Sequence, residues 1–476
     1  MNKSKYLLKN VGILTISNFS SKLLIFLLVP LYTSVLSTSE YGVYDLAVST
    51  VTLLFPVLTL NVVDAVMRFT MEKETDKKKI VSIGLKYTLV GCILFGVIML
   101  FLNLTKLSSD IQGIEILIFL YYIFYTFNQF LIQLAKGLEM VKEMGIAGII
   151  STVITVLVNI LFLLVFRWGM IGFFGANILA QAVSGSYLCF RVQLWKYVDC
   201  RLIDRSLQNE MLMYSIPIIA TVVGWWVNST ADKYVVTFMI GISANGLLSV
   251  AYKIPQVINT LQGIFTQAWQ ISAIKEFGRK DTAKFYGNIF ENINLLMCVA
   301  CSILIILTRP LAHILYAKNF YEAWRFVPFL LVSSVVNCAS GLLGPILSAK
   351  KDSVSLMWSA IIGSGTNVIL NIVLVYLIGI QGATITTMFS SYLIYFVRKQ
   401  AVVNDIEIKK KYRVILNWIL LCLQCVIEIY TETYWLEFAI MASLILINHE
   451  LVNKIIHKTV TVIMRTKNNL QRRKYR

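Results

Sequence analysis

Charge is scarce in this sequence: 14% of its 476 residues are Asp, Glu, Lys or Arg, against roughly a quarter in an ordinary soluble domain. Fifty-seven per cent are hydrophobic and the mean hydropathy is +0.72, more apolar surface than a water-soluble chain of this length can hide. The period-2 alternation of barrel strands is missing as well, and no loop is long enough to fold as a separate domain. There is no Ser/His/Asp arrangement, no metal-ligand cluster and no phosphate-cradling loop. The eight cysteines, Cys92, Cys189, Cys200, Cys298, Cys301, Cys338, Cys422 and Cys425, fall mostly in apolar segments. The two CxxC pairs among them have no His or acidic partners at ligand spacing, so they read as small apolar residues on a helix face rather than a metal site.

What is present are long apolar runs. Val11–Leu31, Thr88–Leu102 and Ile146–Phe166 approach the ~20 residues that cross hydrocarbon as a helix. Backbone groups find no water there, so an open chain must span as helices. The expected spans are 10–36, 43–70, 80–103, 111–135, 144–166, 171–192, 212–240, 247–272, 285–308, 325–348, 354–378, 381–399, 413–430 and 434–453, about fourteen in an all-α polytopic membrane protein. The first is too long for a signal-peptide core and reads as retained.

The net charge of +18 would suggest nucleic acid in a soluble protein, but no aromatic-interleaved basic domain lies outside the spans to bind it. Lys and Arg instead mark the cytoplasmic face. With a cytoplasmic N-terminus, 33 of the 43 basic residues fall on that side, five on the other (Lys106, Arg167, Arg309, Lys318, Arg325) and five within spans (Lys22, Arg68, Lys86, Lys233, Lys253). Dropping one span would reverse every later loop and destroy this asymmetry. An even span count with both termini cytoplasmic follows.

The two halves echo each other. Tyr41-Gly42-Val43-Tyr44-Asp45-Leu46-Ala47 resembles Asn245-Gly246-Leu247-Leu248-Ser249-Val250-Ala251. Ala135-Lys136 resembles Ala349-Lys350, and Asn159-Ile160 with Gly169-Met170-Ile171-Gly172 resembles Asn371-Ile372 with Gly379-Ile380-Gln381-Gly382. The domain reading is therefore a six-helix half at 1–205, a second at 206–405, an added helix pair at 406–455 and a basic cytoplasmic tail at 456–476. Duplicated transporters rock two such halves about a central site. The Gly-x-x-Gly loops read as tight turns that need φ > 0 rather than as phosphate sites.

On these residues the chain resembles polysaccharide flippases of the Wzx type, in the superfamily that includes the multidrug and toxin extruders. The carriers are Ser39-Glu40-Tyr41-Gly42-Val43-Tyr44 after Pro30-Leu31-Tyr32, Ala231-Asp232-Lys233-Tyr234 with Gly241 and the Gly246–Ile254 stretch, and Leu315-Tyr316 with Ser348-Ala349-Lys350, Asn371 and Gly379–Gly382. The resemblance covers roughly residues 5–405. It implies transport rather than catalysis: undecaprenyl-diphosphate-linked oligosaccharide moves from the inner to the outer leaflet of a bacterial plasma membrane, feeding O-antigen or capsule biosynthesis. The implied partners are that lipid-linked substrate, membrane lipids and a polysaccharide polymerase machinery. No cofactor is implied beyond a coupling H⁺ or Na⁺, and the repeat is compatible with a functional monomer.

A diphosphate with a sugar head loses its hydration in hydrocarbon, so a water-filled, cationic cavity is expected. Lys22 lies about twelve residues from either end of its span, which at ~1.5 Å per residue is near the midplane. Its neighbours Ser17, Asn18, Ser20 and Ser21 suggest a wet face; the alternative is a structural pair with an acid on another helix. Lys233 and Lys253, nearer span ends, can snorkel. Asp232 adjoins Lys233 but points to another face. Arg68 and Lys86 lie in the cytoplasmic third, where Asp64 and Arg68, four apart, are expected to pair. Asp64, Asp232 and Glu291 are the candidate coupling or ion-pair carboxylates, with solvation as the alternative for Glu291. His313 is expected at the surface. Gln262, Gln267 and Gln270 share a helix as candidate sugar contacts. Trp225, Trp226 and Trp269 could stack on sugar rings, or pack or face lipid.

Two other functions compete. A cation-coupled multidrug exporter of the same superfamily would want an acidic, aromatic pocket, whereas five cations stand in the spans against three carboxylates counted there. A membrane polysaccharide polymerase or glycosyltransferase would want a sizeable outside loop bearing Asp, Arg or His; the longest expected here is about 309–324.

Overall fold

A computed structural model describes residues 22–453, apart from residues 25, 73–75, 106–112, 200–203, 409 and 432. All regular structure among the described residues is helical, and ten helices are long and apolar enough to cross a membrane. Each expected span coincides with a helix or a pair of helices, the first being described only from Lys22. Ser17, Asn18, Ser20, Ser21, Lys106, Cys200 and the tail 456–476 lie outside the described residues.

The chain packs as two compact units, Met1–Lys253 with His313–Glu322, and Ile254–Ala312 with Ala323–Arg476. The first contains α1 (Val29–Val35), α2 (Thr38–Leu58), α3 (Val62–Thr70), α4 (Lys77–Thr105), α5 (Glu115–Gly137), α6 (Val141–Ile160), α7 (Gly169–Val192), α8 (Arg205–Met239) and α9 (Ile242–Ala251). Ser37 starts α2 with a capping box: its hydroxyl accepts from the Glu40 N–H at 3.2 Å, and Glu40 Oε2 accepts from the Ser37 N–H at 2.8 Å. Each satisfies a donor that the helix leaves unpaired. Two apolar clusters hold the unit together. One joins α3, α4 and α5 through Val62, Val66, Ile80, Ile83, Phe130 and Leu134. The other joins α2, α4, α5 and α7 through Val51, Phe95, Tyr122 and Phe174, with the Phe95 and Tyr122 rings stacked at 4.0 Å.

The second unit holds α10 (Pro255–Glu276), α11 (Thr282–Ile306), the start of α12 (Thr308–Leu315), α13 (Val327–Lys350), α14 (Ser353–Ile378), α15 (Ile380–Ala401), α16 (Lys411–Tyr430) and α17 (Tyr434–Ile447). A 3₁₀ stretch, Lys318–Phe326, leads into α13. The span containing α13 is 83% buried in its apolar window, whereas that of α8 is 11% buried. A helix apolar all round suits the centre of a unit, and α10, α11, α15 and α16 pack around α13. The C-terminal pair, α16 and α17, rests on α11.

Two expected spans are each broken into two helices. The span expected at 43–70 divides into α2 and α3 at Leu60 and Asn61, which take left-handed φ of 51° and 48°. The Asn61 N–H closes the end of α2 on the Pro56 carbonyl at 2.7 Å, a C-terminal turn of the left-handed type. The span expected at 247–272 divides into α9 and α10 because Pro255 opens α10. Proline cannot donate to the preceding turn and suits a helix start. Lys253 sits in that break. The Gly-x-x-Gly loops are tight turns: Gly169 and Gly379 have φ of 54° and 64°, and a Cβ on Gly382 would meet the Leu374 carbonyl oxygen at 2.2 Å.

Candidate functional site

Helices in lipid gain little from hydrophobic exclusion and associate through close packing of small residues. Gly42 and Gly246 do this for α2 and α9. A Cβ at Gly42 would lie 2.2 Å from the Ile242 oxygen, and one at Gly246 would lie 2.0 Å from the Thr38 oxygen. The Asn245 amide donates to the Gly42 carbonyl at 3.1 Å. These are the two repeat-related glycines, and they meet each other.

From Gly42, one turn along α2 brings Asp45 onto the same face. Asp45 stands where the second copy of the motif has Ser249, and the Ser249 hydroxyl donates to its carboxylate at 2.7 Å. The Lys233 ammonium lies 3.0 and 2.9 Å from the two Asp45 oxygens, with only 16% and 17% of the two side chains accessible. Asp232 accepts the Lys233 backbone N–H at 2.9 Å and the Tyr252 hydroxyl, and is 3% exposed. Lys253 lies over the Tyr41 ring at 5.9 Å, within the field of Asp45. A further turn along, Trp226 donates to the Ser49 carbonyl at 2.9 Å and Tyr234 shares a 2.7 Å hydrogen bond with Thr50. Asp45 and Lys233, with Ser249, thus form an ion pair that links α2, α8 and α9, and Asp232 and Lys253 stand beside it. Removing one partner of such a pair leaves a charge without compensation.

Of the residues singled out in the sequence, Lys233, Lys253, Asp232 and Trp226 are brought together here. Trp225 is not; it is 67% exposed. Lys22 is exposed at the start of the helical stretch Lys22–Val35. The expected pairing of Asp64 with Arg68 is corrected. Arg68 reaches Glu72 at 2.9 Å, while Asp64 accepts from Asn61 at 2.9 Å and from Gln133 of α5 at 2.7 Å. Both acids lie four residues from Arg68; the packing of α5 on α3 turns Asp64 away from it. Lys86 donates to Gln208 at 3.0 Å. His313, exposed, shares a 2.9 Å hydrogen bond with Tyr321.

In the second unit, Glu291 accepts the Lys410 N–H at 3.3 Å. It lines a cavity of about 180 Å³ with Asn288, Asn294, Lys410, Arg413 and Asn417. Gln262 donates to the Asn337 carbonyl at 3.1 Å and Gln270 is exposed; the Gln267 side chain lies outside the described residues. Trp269 is buried and donates to the Leu342 carbonyl at 2.8 Å, which gives it a packing role.

Four charged groups that the sequence reading passed over matter here. Asp45, Glu428 and Glu437 stand inside expected spans, so the carboxylate count there exceeds three. Asp45 had a signal: it follows the motif glycine by three residues, on the face that glycine presents. Arg398, at the cytoplasmic end of the span expected at 381–399, donates from its guanidinium to the Ser359 hydroxyl at 3.0 Å and the Ser340 carbonyl at 3.1 Å. Among the described residues no carboxylate pairs with it.

Residues 7–270 match the family described as "Polysaccharide biosynthesis protein", more than half of the chain. The chain belongs to that family. No curated protein matches the sequence. Among solved structures the chain is similar to the lipid II flippase MurJ in an inward closed conformation, at a TM-score of 0.70 and 14% identity, covering 94% of this chain and 99% of that one. It is also similar to a multidrug resistance MATE family transporter of the MOP superfamily. The inward-facing form matches at TM-score 0.62 and 14% identity over 81% of this chain and 95% of that one. The outward-facing form matches at 0.56 and 12% over 83% and 96%. At such identities the likeness establishes the fold. This member of the polysaccharide biosynthesis family therefore has the polytopic helical fold seen in those structures, with its Asp45–Lys233 pair on the matched stretch.

Proposed function

We propose that the chain is a flippase that carries undecaprenyl-diphosphate-linked oligosaccharide from the inner to the outer leaflet of a bacterial plasma membrane, for O-antigen or capsule assembly. One observation carries this reading: a buried, paired charge network at the ends and breaks of membrane helices, in a chain of the polysaccharide biosynthesis family. Intramembrane ionisable residues and interrupted helices mark substrate paths. A diphosphate offers Lys233 and Lys253 a stronger anionic partner than one carboxylate. Its arrival would draw Lys233 from Asp45 and weaken the contact of α2 with α9, which converts cargo binding into opening. Lys22, Arg398, Arg68 and Lys86 are the further cations proposed to hand the head group across, with Gln262, Gln267 and Gln270 toward the sugar. Asp64, Asp232 and Glu291 are the proposed carriers of a coupling H⁺ or Na⁺. The charge asymmetry of the loops supports cytoplasmic termini.

The test is deletion followed by lipid analysis, with complementation by the wild-type chain and by Lys22→Ala. Lipid-linked oligosaccharide trapped on the cytoplasmic leaflet, rescued by the wild type but not by the inserted Lys22→Ala variant, is the expected result. Normal lipid turnover with raised drug sensitivity would sink the flippase reading in favour of the multidrug exporter. Full rescue by Lys22→Ala would remove Lys22 from the path.

A further inference from the structure

The cavity beside Glu291, in the second unit, has a volume of about 180 Å³ and lies where the starts of α11 and α16 meet the end of α17. The loop charges assign this end of the helices to the cytoplasm. Four charged groups line it, two of each sign: Glu291, Glu450, Lys410 and Arg413. Glu450 Oε2 takes a hydrogen from the Lys410 ammonium at 2.6 Å and from the Arg413 guanidinium at 3.4 Å. Glu291 Oε1 accepts the Lys410 backbone N–H at 3.3 Å. Arg413 is buried whereas the Glu450 side chain is 55% exposed, so the charges run from the surface into the protein.

Asparagines add to the wall. Asn294, Asn417 and Asn448 are each buried, and the Asn448 amide donates to Asn417 Oδ1 at 2.8 Å. The Oδ1 atoms of Asn294 and Asn448 accept no hydrogen bond. A buried amide oxygen without a donor is costly, so this wall calls for a group with hydrogens to give. Lys410 and Arg413 call for the opposite. An ammonium has three hydrogens and a guanidinium five; Glu450 takes one from each, and the rest suit an anion. Basic pockets between membrane helices on the cytoplasmic side hold lipid head groups. The volume is below the roughly 300 Å³ at which pockets for drug-sized ligands begin, which suits a small head and excludes an oligosaccharide. A purely anionic head would gain from Lys410 and Arg413 but meet Glu291 and Glu450. A quaternary ammonium head has no N–H for the amide oxygens. A phosphate ester bearing a primary amine matches both sets of groups.

We propose that this cavity binds a phospholipid with an aminoethyl-phosphate head, its phosphate on Lys410 and Arg413 and its ammonium toward Glu291 and the asparagine oxygens. The phosphate, tied to the acyl chains, stays near the helix ends. The amine is the free end of the head and reaches inward, since Glu291 lies about 13 Å from the start of α11 at ~1.5 Å per residue. The site joins α11, α16 and α17, so the bound lipid fastens the C-terminal helix pair to α11. It does not depend on what the chain transports. Glu291 cannot both hold a head group and cycle a coupling ion; in this assignment it holds the head group, and Asp64 and Asp232 are left for coupling.

The experiment is thermal unfolding of the full chain, purified in detergent and stripped of lipid, on titration with phospholipids of identical acyl chains. Phosphatidylethanolamine should raise the unfolding temperature by several degrees in a saturating manner, as a ligand of the folded state does. Phosphatidylcholine and phosphatidylglycerol should each raise it clearly less. Glu291→Gln should erase the preference for the ethanolamine head over choline, and Arg413→Gln the response to all three lipids. Should either variant fail to fold, Lys410→Gln, at a partly exposed position, tests the phosphate end by the same loss of response. Equal shifts from the ethanolamine and choline heads in wild type overturn the proposal, as does a larger shift from the glycerol head or no shift from any. An unchanged preference in Glu291→Gln also overturns it. Water-soluble phosphoethanolamine that reproduces the full shift overturns the lipid as occupant and assigns the cavity to a free phosphate ester.

Discussion

At 2.9 and 3.0 Å from the two oxygens of Asp45, the Lys233 ammonium is held by a carboxylate that also takes a hydroxyl hydrogen bond from Ser249. Leaving such a carboxylate buried and alone costs about 3–5 kcal/mol, whereas removing both charges of a buried pair is often close to neutral. Lys233→Met should therefore destabilise the purified chain by an amount in that range, and Asp45→Asn combined with Lys233→Met should recover most of it. Thermal melts of the two single variants and the double variant measure the coupling; additive losses would show that the pair is not a unit. Lys233, Lys253 and Asp232 could be picked out in the sequence because ionisable side chains in apolar runs are conspicuous. Asp45 stands close to a span end, where a charge is not conspicuous. Which acid pairs with Arg68 was beyond sequence reasoning: Asp64 and Glu72 are both four residues away, and a glutamine on α5 decides between them.

At the level of helices, the contact of α2 with α9 is the tightest test of the repeat. A methyl group at Gly246 would lie 2.0 Å from a backbone oxygen, which has no rotamer by which to retreat. Gly246→Ala should cost on the order of 1–3 kcal/mol, as other overpacking does, and push α9 off α2. Gly224→Ala on α8 is the matched control, since a Cβ there meets nothing within 4 Å. It should be neutral or stabilising, because alanine favours a helix by roughly 0.5–1 kcal/mol over glycine. Equal effects of the two in a thermal melt would mean that the contact is loose. The helices themselves were legible, since long apolar runs leave the backbone no other partner. The breaks at Asn61 and Lys253 were not. A hydropathy run continues straight through them, and only the backbone turn after Pro56 and the helix start at Pro255 interrupt the hydrogen-bond ladder.

For the whole molecule, the side of the membrane on which each loop lies remains a matter of charge. The excess of Lys and Arg in alternate loops predicts that a single cysteine at Lys351 is labelled from the cytoplasm and one at Lys318 from the opposite face. Both positions are exposed, so a membrane-impermeant thiol reagent reads the result directly. Labelling of both from one side would break the alternation. The fold class, the near-fourteen spans and the place of the added pair α16–α17 all follow from composition and run length, because hydrocarbon admits few backbone structures. Sequence alone also marked the repeated Gly42 and Gly246 motifs. Tertiary structure decided which partners the charges find. Asp45 meets Lys233 across 188 residues, and Glu428 meets Arg309 across 119. The physical reason is range: a buried charge is settled by whatever lies within a few ångströms, and helix packing rather than chain order determines what that is.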